Sequence, residues 1–401
     1  MTRALHEGDA GGASGPAAPL PTPGGGRLSG RSRVVAIFFI QGMVGAMLMM
    51  RIPDLQLDAG LSAAALGIVL MGAPIGGLGI FLFATPLIER VGTRLTILVS
   101  FVLMALGAAL SSVAETGTSL FLALLVFGAM SSIGNIAMNV EADRVEAATG
   151  ARVMNRCHGM WSVGFLIASS LAGAIRGAGI APAVHLWLCL FVFTAVTLAL
   201  AVPLAEYPAR AFGGGPRKVR FAWPTAAILA LAAFGLGAEL LEGAARVWAT
   251  IYLRDAFDVP AMVESAALPA FILTMAGGRL VAARLVGRYG ARRFPSASLV
   301  TAAIGLAIVV ASTNAFLVIA GFAVAGLGTG VVYPLMLSSA ARIGDRPAVQ
   351  NVAAITLVVQ IVMLISPAFV GALAETLGVR FAFACLLPLL AIGAAMSRFV
   401  R

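Results

Sequence analysis

Charge is what this sequence has least of. Asp, Glu, Lys and Arg make up 11% of its 401 residues, where an ordinary soluble domain carries roughly 25%. With 60% of the chain hydrophobic, a water-soluble fold is excluded. Cysteine is scarce as well: Cys157, Cys189 and Cys385 show neither paired nor metal-ligand spacing, so no disulfide framework and no metal site is expected. No Walker motif is present, which argues against ATP-driven work by this chain. No serine, histidine and acid constellation stands at helical spacing, so neither an enzyme nor a bound cofactor is expected. The N-terminal 30 residues are rich in Gly, Pro and Ala and lack the short apolar core of a signal peptide. They read as a disordered tail.

Long apolar runs are what the chain has in their place. They fall near residues 34–51, 62–87, 95–114, 118–140, 157–176, 183–204, 224–250, 261–286, 295–312, 315–340, 349–373 and 379–398. Each reaches or approaches the roughly 20 residues that cross a bilayer as helix. The runs are continuously apolar, whereas barrel strands alternate in polarity over about ten residues. The expected class is an all-α membrane protein with twelve transmembrane helices.

A net charge of +10 invites a nucleic-acid reading, but the placement of the charge argues against it. All but six of the 27 basic residues fall in the N-terminal tail, in alternate loops or at the C-terminus. The exceptions are Arg51, Arg176, Arg246, Arg254 and Arg380 on the opposite side, and Arg279 inside an apolar run. This is the positive-inside bias, and it places both termini in the cytoplasm of a multi-pass inner-membrane protein.

The twelve runs divide around "AEYPARAFGGGPRKVRFAWP" (205–224), where Gly, Pro and four basic residues cluster. The expected organisation is a tail over 1–32, a six-helix bundle over 33–204, a cytoplasmic linker over 205–222 and a second six-helix bundle over 223–401. The halves repeat: Arg90, Gly92 and Arg94 in "IERVGTRLT" match Arg288, Gly290 and Arg292 in "VGRYGARRF" at an offset of 198, as Gly128 matches Gly326. Two pseudo-symmetric bundles are what a duplicated transporter shows, with substrate held where the repeats face each other.

The loop "TPLIERVGTR" resembles the Gly-x-x-x-Asp-Arg-x-Gly-Arg-Arg pattern of the major facilitator superfamily, with Thr85 for the first glycine, Glu89 for the aspartate and Thr93 for one basic residue. The second copy, "ARLVGRYGARR", keeps the basic residues and has Gly287 in place of the acid. A narrower resemblance rests on "RIPDLQLDAGLSAAALGIVLMGAPIGG", "MNVEADRVEAATGARVMNRCHGMWSVG" and "EGAARVWATIYLRD". These segments are similar to a bacterial branch related to the fucose permease type of proton and sugar symporter. The resemblance implies the major facilitator fold. In such permeases a Gln stands at the position of His158, an Asn at that of Trp161, and a membrane-embedded carboxylate at that of Asn135.

His158, Trp161 and Ser162 lie at i, i+3 and i+4 near the start of the fifth run, after a loop over 141–156 whose acids and arginines are expected to be solvated. His158 is a candidate to exchange protons or bind hydroxyls, or an interfacial residue that packs. Trp161 anchors an interface or stacks on a sugar ring. Asn135 and Asn139, one helical turn apart, and Gln41 either line the cavity or join helices. Asn135 cannot titrate, so proton coupling there is in doubt. Glu239, Glu242 and Arg246 form one stripe on the seventh run, which is too long for one straight crossing, so they are expected in its outer half or beyond a break near Gly243. Either acid can couple protons, and Glu242 with Arg246 can equally form a plain i, i+4 pair.

Arg51 either snorkels to headgroups or bridges to Glu239 or Glu242 when the outer gate closes. Arg279 is expected to reach water by snorkelling rather than bind an anion. Glu89, Arg90, Arg94, Arg288 and Arg292 are gating candidates at the inner side, or topology signals and lipid contacts. The pairs Gly76–Gly77 and Gly277–Gly278 suit close helix approach, not phosphate binding. The functional expectation is a monomeric secondary transporter working by alternating access, with protons and membrane lipids as its other partners. Proton-coupled uptake of a small polar solute such as a sugar stands first; efflux of lipophilic or cationic compounds and a non-transporting membrane sensor are the alternatives.

Overall fold

The computed structural model describes residues 29–204, 223–290, 293–397 and 400. Most of the expected tail, the whole 205–222 linker and Arg292 lie outside the described residues. Within them, twelve helices are long and apolar enough to cross a membrane. Spans 1 to 6 are Gly30–Asp58, Ala63–Phe81, Phe83–Ser111, Gly117–Thr149, Met154–Gly177 and Pro182–Ala201; spans 7 to 12 are Ala226–Ala256, Ala261–Ala282, Arg293–Ala311, Ala315–Ala341, Ala348–Leu377 and Val379–Met396. Helix suits this setting because each backbone N–H and C=O finds its partner within the segment. Several ends are closed by side chains. Ser29 accepts from Ser32 N–H, Ser62 from Ala65, Thr225 from Ile228 and Asn314 from Phe316 and Leu317, while Thr116 and Ser119 form a reciprocal capping box.

Spans 1, 4 and 7 differ in extent or continuity from the sequence expectation. Span 1 begins at Gly30, inside the segment expected as tail, and continues past a break at Met50 and Arg51 to Asp58, the restart carrying Pro53 in its first turn. Span 4 does not end near Val140 but runs to Thr149, so the polar stretch is mostly helix. Its acids are not simply solvated: Glu141 is 1% exposed, and Glu146 Oε1 accepts from the Val153 and Met154 N–H groups at 2.5 and 3.0 Å, closing the start of span 5. Span 7 is unbroken over 31 residues, about 46 Å at 1.5 Å per residue. Its excess length overhangs the bilayer, and Glu239 and Glu242 consequently sit near its middle rather than in an outer half.

The duplication is carried by backbone geometry as well as by sequence. The helix Gly72–Ser111, which carries most of span 2 and all of span 3, kinks at Gly92 (φ 82°, ψ 157°), and spans 8 and 9 turn at Gly290 (φ 86°, ψ 155°), a left-handed φ that glycine adopts without a Cβ clash. Gly128 in span 4 lies against the Ala73 carbonyl, and Gly326 in span 10 against that of Phe271. Both residues of that contact keep the offset of 198 seen in the loops. A Cβ at Gly128 would stand 1.9 Å from the Ala73 oxygen. Gly128→Ala is therefore expected to lower stability by roughly 1–3 kcal/mol through overpacking. Gly79, where a Cβ meets nothing within 4 Å, supplies the control: Gly79→Ala leaves the melting temperature in detergent unchanged or slightly raised.

The two halves pack on one another at the end away from the basic loops. Span 2 meets span 11, with Gly67 against Pro367 and Gly371 against Ala63, and the end of span 5 meets the start of span 8, with Gly173 against Ser265 and Gly177 against Met262. Arg254 at the end of span 7 donates to the Pro53 carbonyl at 2.8 Å and to Gln56 Oε1 at 3.0 Å, both in span 1. This end of the molecule is closed.

Candidate functional site

In the first half, a polar strip crosses spans 1, 4 and 5. Gln41 is 5% exposed; its Nε2 donates to Ser131 Oγ at 3.3 Å, and its Oε1 accepts from the Trp161 indole N–H. One turn beyond Ser131 stands Asn135, which is exposed. Asn139 Nδ2 donates to the Asn135 carbonyl at 2.8 Å and to its Oδ1 at 3.2 Å. The sequence grouping of Gln41, Asn135, Asn139 and Trp161 is thus brought together in space, with Ser131 as a member the sequence reading missed. His158 is exposed near the start of span 5 and meets the Phe38 ring edge-on at 5.3 Å.

In the second half, charge is gathered inside the bundle. Glu242 Oε1 pairs with Arg246 at 2.5 Å, and its Oε2 faces Arg279 of span 8 at 3.5 Å. Arg279 Nε donates to the Gly330 carbonyl of span 10 at 2.8 Å. Arg279 remains 38% exposed, yet it is tied to spans 7 and 10 rather than extended toward a headgroup, because a carboxylate and a carbonyl lie within its reach. Glu239, one turn before Glu242 and 6% exposed, has no hydrogen bond or ion pair among the described residues. It lies within electrostatic reach of Glu242, Arg279 and Arg246, and Tyr333 of span 10 within reach of both acids.

The strip and the cluster touch. The Arg246 guanidinium sits 5.7 Å from the centre of the Phe165 ring, and Phe165 packs at 5.5 Å on Trp161. A continuous chain of contacts runs from Glu242 through Arg246, Phe165, Trp161 and Gln41 to Ser131, from span 7 across spans 5 and 1 to span 4. Arg246 also lines a cavity of about 190 Å³ between the halves, together with residues of spans 1, 2, 4 and 11.

At the closed end a third group appears that the sequence reading did not assemble. Arg51 is 1% exposed. It neither snorkels nor reaches Glu239 or Glu242: it donates to Asp54 at 2.9 Å, to the Ile180 carbonyl at 2.8 Å and to His185 Nδ1 at 2.9 Å, all within its own half. The break before Pro53 folds Asp54 back beneath it. Within this group the side chain that crosses between halves, as Arg254 does nearby, is Arg176, which pairs with Asp54 at 2.7 Å and with Glu264 of span 8 at 2.5 Å. These three lie 122 and 88 residues apart, and no local spacing signals their meeting.

At the opposite end, Glu89 and Arg90 are exposed and Arg94 partly so; none of the three has an ion pair or hydrogen bond among the described residues. Arg288 lies over the ring of its neighbour Tyr289 at 5.4 Å. The acid that engages this loop is instead Glu141, whose Oε2 accepts from Thr93 Oγ1 at 2.6 Å, with Arg144 donating to the same hydroxyl at 3.4 Å. Thr93, a departure from the loop pattern in sequence, is thus the loop's tie to span 4. The equivalent end of the second half is closed locally by Asp345, which accepts from Asn351 at 2.7 Å and Thr225 at 3.1 Å. The hydrogen bond from Asn351, with that from Thr225 and the nearby Arg346 charge, holds its carboxyl below the usual range.

Residues 225–401 match the family described as Major Facilitator Superfamily. Over 364 residues the chain is 28% identical to an uncharacterized MFS-type transporter of Yersinia pestis, covering 90% of this chain and 94% of that protein. It is 26% identical to the membrane protein MosC of Rhizobium meliloti, covering 90% of this chain and 86% of the relative. Among solved structures it superposes on a mutant of the nucleoside transporter NupG with a TM-score of 0.74 at 12% identity, covering 93% of this chain and 100% of the other. A bacterial homolog of the human lysosomal transporter Spinster, in an inward-facing and occupied conformation, gives 0.71 at 15% identity over 92% and 95%. The chain therefore has the major facilitator fold, an integral multi-pass arrangement of twelve apolar helices.

Proposed function

We propose that this chain is a secondary transporter of the major facilitator superfamily that works by alternating access and couples proton movement to the uptake of a small polar solute. The observation that carries the reading is the contact chain from the buried charges of span 7 to the polar strip of spans 1, 4 and 5. It sets titratable and hydrogen-bonding groups of both halves around one central space, while the halves pack against each other at one end. The positive-inside bias makes the basic end cytoplasmic and the sealed end external, in the inner membrane, with both termini inside. The monomer is the working unit in this reading.

Glu239 is the proton carrier of this scheme. An uncompensated buried charge is costly, and Glu239, unlike Glu242, has no arginine committed to it. Glu242 holds Arg246 and Arg279 in place, and His158 exchanges protons at the cytoplasmic mouth. The amide and indole groups of Gln41, Asn135, Asn139 and Trp161 suit an oxygen-bearing solute such as a sugar. A second reading, efflux of lipophilic compounds, draws support from the apolar walls of the cavity at Arg246.

Proteoliposomes with a pH-sensitive dye inside test both. Acidification of the lumen on adding one of a panel of small polar solutes is the expected result. Alkalinisation on adding lipophilic cations supports efflux instead, and silence with both panels removes proton coupling from the account.

A further inference from the structure

The cavity at Arg246 is lopsided in its chemistry. Its walls come from Leu48, Ile52, Leu124, Phe127 and Met363 among others, and Arg246 is the one charged side chain on them. Arg246 commits one amino group to Glu242 and its π-facing surface to Phe165. Its remaining N–H groups have no hydrogen-bond partner among the described residues. A guanidinium presents donors in a rigid fork that matches a carboxylate in two-point fashion. The local charges are two acids, Glu239 and Glu242, against Arg246 and Arg279. With a proton on Glu239, one positive charge is left over beside apolar walls, where it is costly unless an anion joins it.

We infer that Arg246 is the binding group for a monocarboxylate with a small apolar body, carried together with the proton on Glu239. The inference rests on the proton-coupled transporter reading and puts a carboxylate in place of the sugar as its solute. A single negative charge fits because it makes the loaded site neutral. A phosphate monoester, at about −1.5 to −2, would leave a surplus. The apolar walls offer no partners for hydroxyl groups and take the body of the acid. Loaded in this way, the carrier crosses with no net charge, so transport does not respond to membrane voltage.

The test uses the full-length protein in detergent and isothermal titration with straight-chain and aromatic monocarboxylates of four to eight carbons, each paired with its uncharged primary amide. The expected result is at least one acid that binds tenfold or more tightly than its amide. That preference weakens at least tenfold in Arg246→Lys, which keeps the charge and loses the fork. It disappears in the double variant Arg246→Ala with Glu242→Gln, which removes both members of the ion pair and leaves no buried acid newly stranded. Equal binding of acid and amide, unchanged affinity in both variants, or no binding by any acid overturns the inference. Proton flux driven by a neutral solute without carboxylate binding overturns this inference alone; absence of flux with every solute, carboxylates included, overturns the transporter reading beneath it.

Discussion

Under the proposed proton coupling, Glu239→Gln is expected to lower proton-driven accumulation of solute sharply and leave solute exchange in place. Glutamine keeps the size and hydrogen-bonding capacity of the side chain and removes its ability to take up a proton. Coupling free energies between two ligands are typically 1–3 kcal/mol, so the accumulation ratio is expected to fall roughly 5- to 150-fold, while counterflow at equal pH continues. Glu242→Gln behaves differently. Glu242 is paired with Arg246 and faces Arg279, and removing one partner of a buried pair costs about 3–5 kcal/mol. Its first symptom is a lowered melting temperature in detergent. The contrast matters because the two acids are three residues apart on one helix and look equivalent in sequence. Wild-type accumulation by the Glu239 variant removes that residue from coupling.

The second large effect is at the closed end. Arg176→Ala is expected to open the sealed end, because among the described residues Arg176 is the side chain that joins Asp54 of the first half to Glu264 of the second through ion pairs. Its side chain is 7% exposed, with Glu264 at 11% and Asp54 at 18%. Solvent screening at Asp54 places the cost at the lower end of about 3–5 kcal/mol. At roughly 1.4 kcal/mol per decade that is about a hundredfold in population. The cost falls on the closed state only, so the equilibrium moves toward a state open at that end. Ser265, 2% exposed beneath the latch, reports it: Ser265→Cys, in a chain with Cys157, Cys189 and Cys385 replaced, reacts slowly with an impermeant maleimide. Adding Arg176→Ala accelerates the reaction, and Arg176→Lys partly restores protection. Equal labelling rates in all three would show that the ion pairs do not hold this end shut.

Which of these features were legible in the sequence depends on the range of the interaction that makes them. The twelve spans follow from apolar runs, and the stripe of Glu239, Glu242 and Arg246 from helical spacing, because both are local. The duplication is legible because the offset of 198 is kept by Gly92 and Gly290 and by Gly128 and Gly326. The charges of 141–149 read as loop, yet Glu141 accepts from Thr93, 48 residues away, and Glu146 from backbone N–H groups of the next helix, and the helix continues through the run. Arg279 was expected at a headgroup because its partner is a backbone carbonyl on another span, invisible to any residue pattern. Arg51 was expected to snorkel or to cross between halves, but the break before Pro53 turns Asp54 toward it and His185 closes the other side.

The central claim is that the two ends of the molecule open in alternation around the Glu239 cluster. Electron–electron distance measurement between spin labels tests it most directly, with one pair at Asp58 and Asp258 on the sealed end and one at Arg90 and Arg288 on the basic end. The account predicts a short, narrow distribution for the first pair and a long one for the second in the wild type. Arg176→Ala should move the two in opposite directions, lengthening the first and shortening the second. Distances that shift together, or that do not shift at all, would contradict alternating access in this chain.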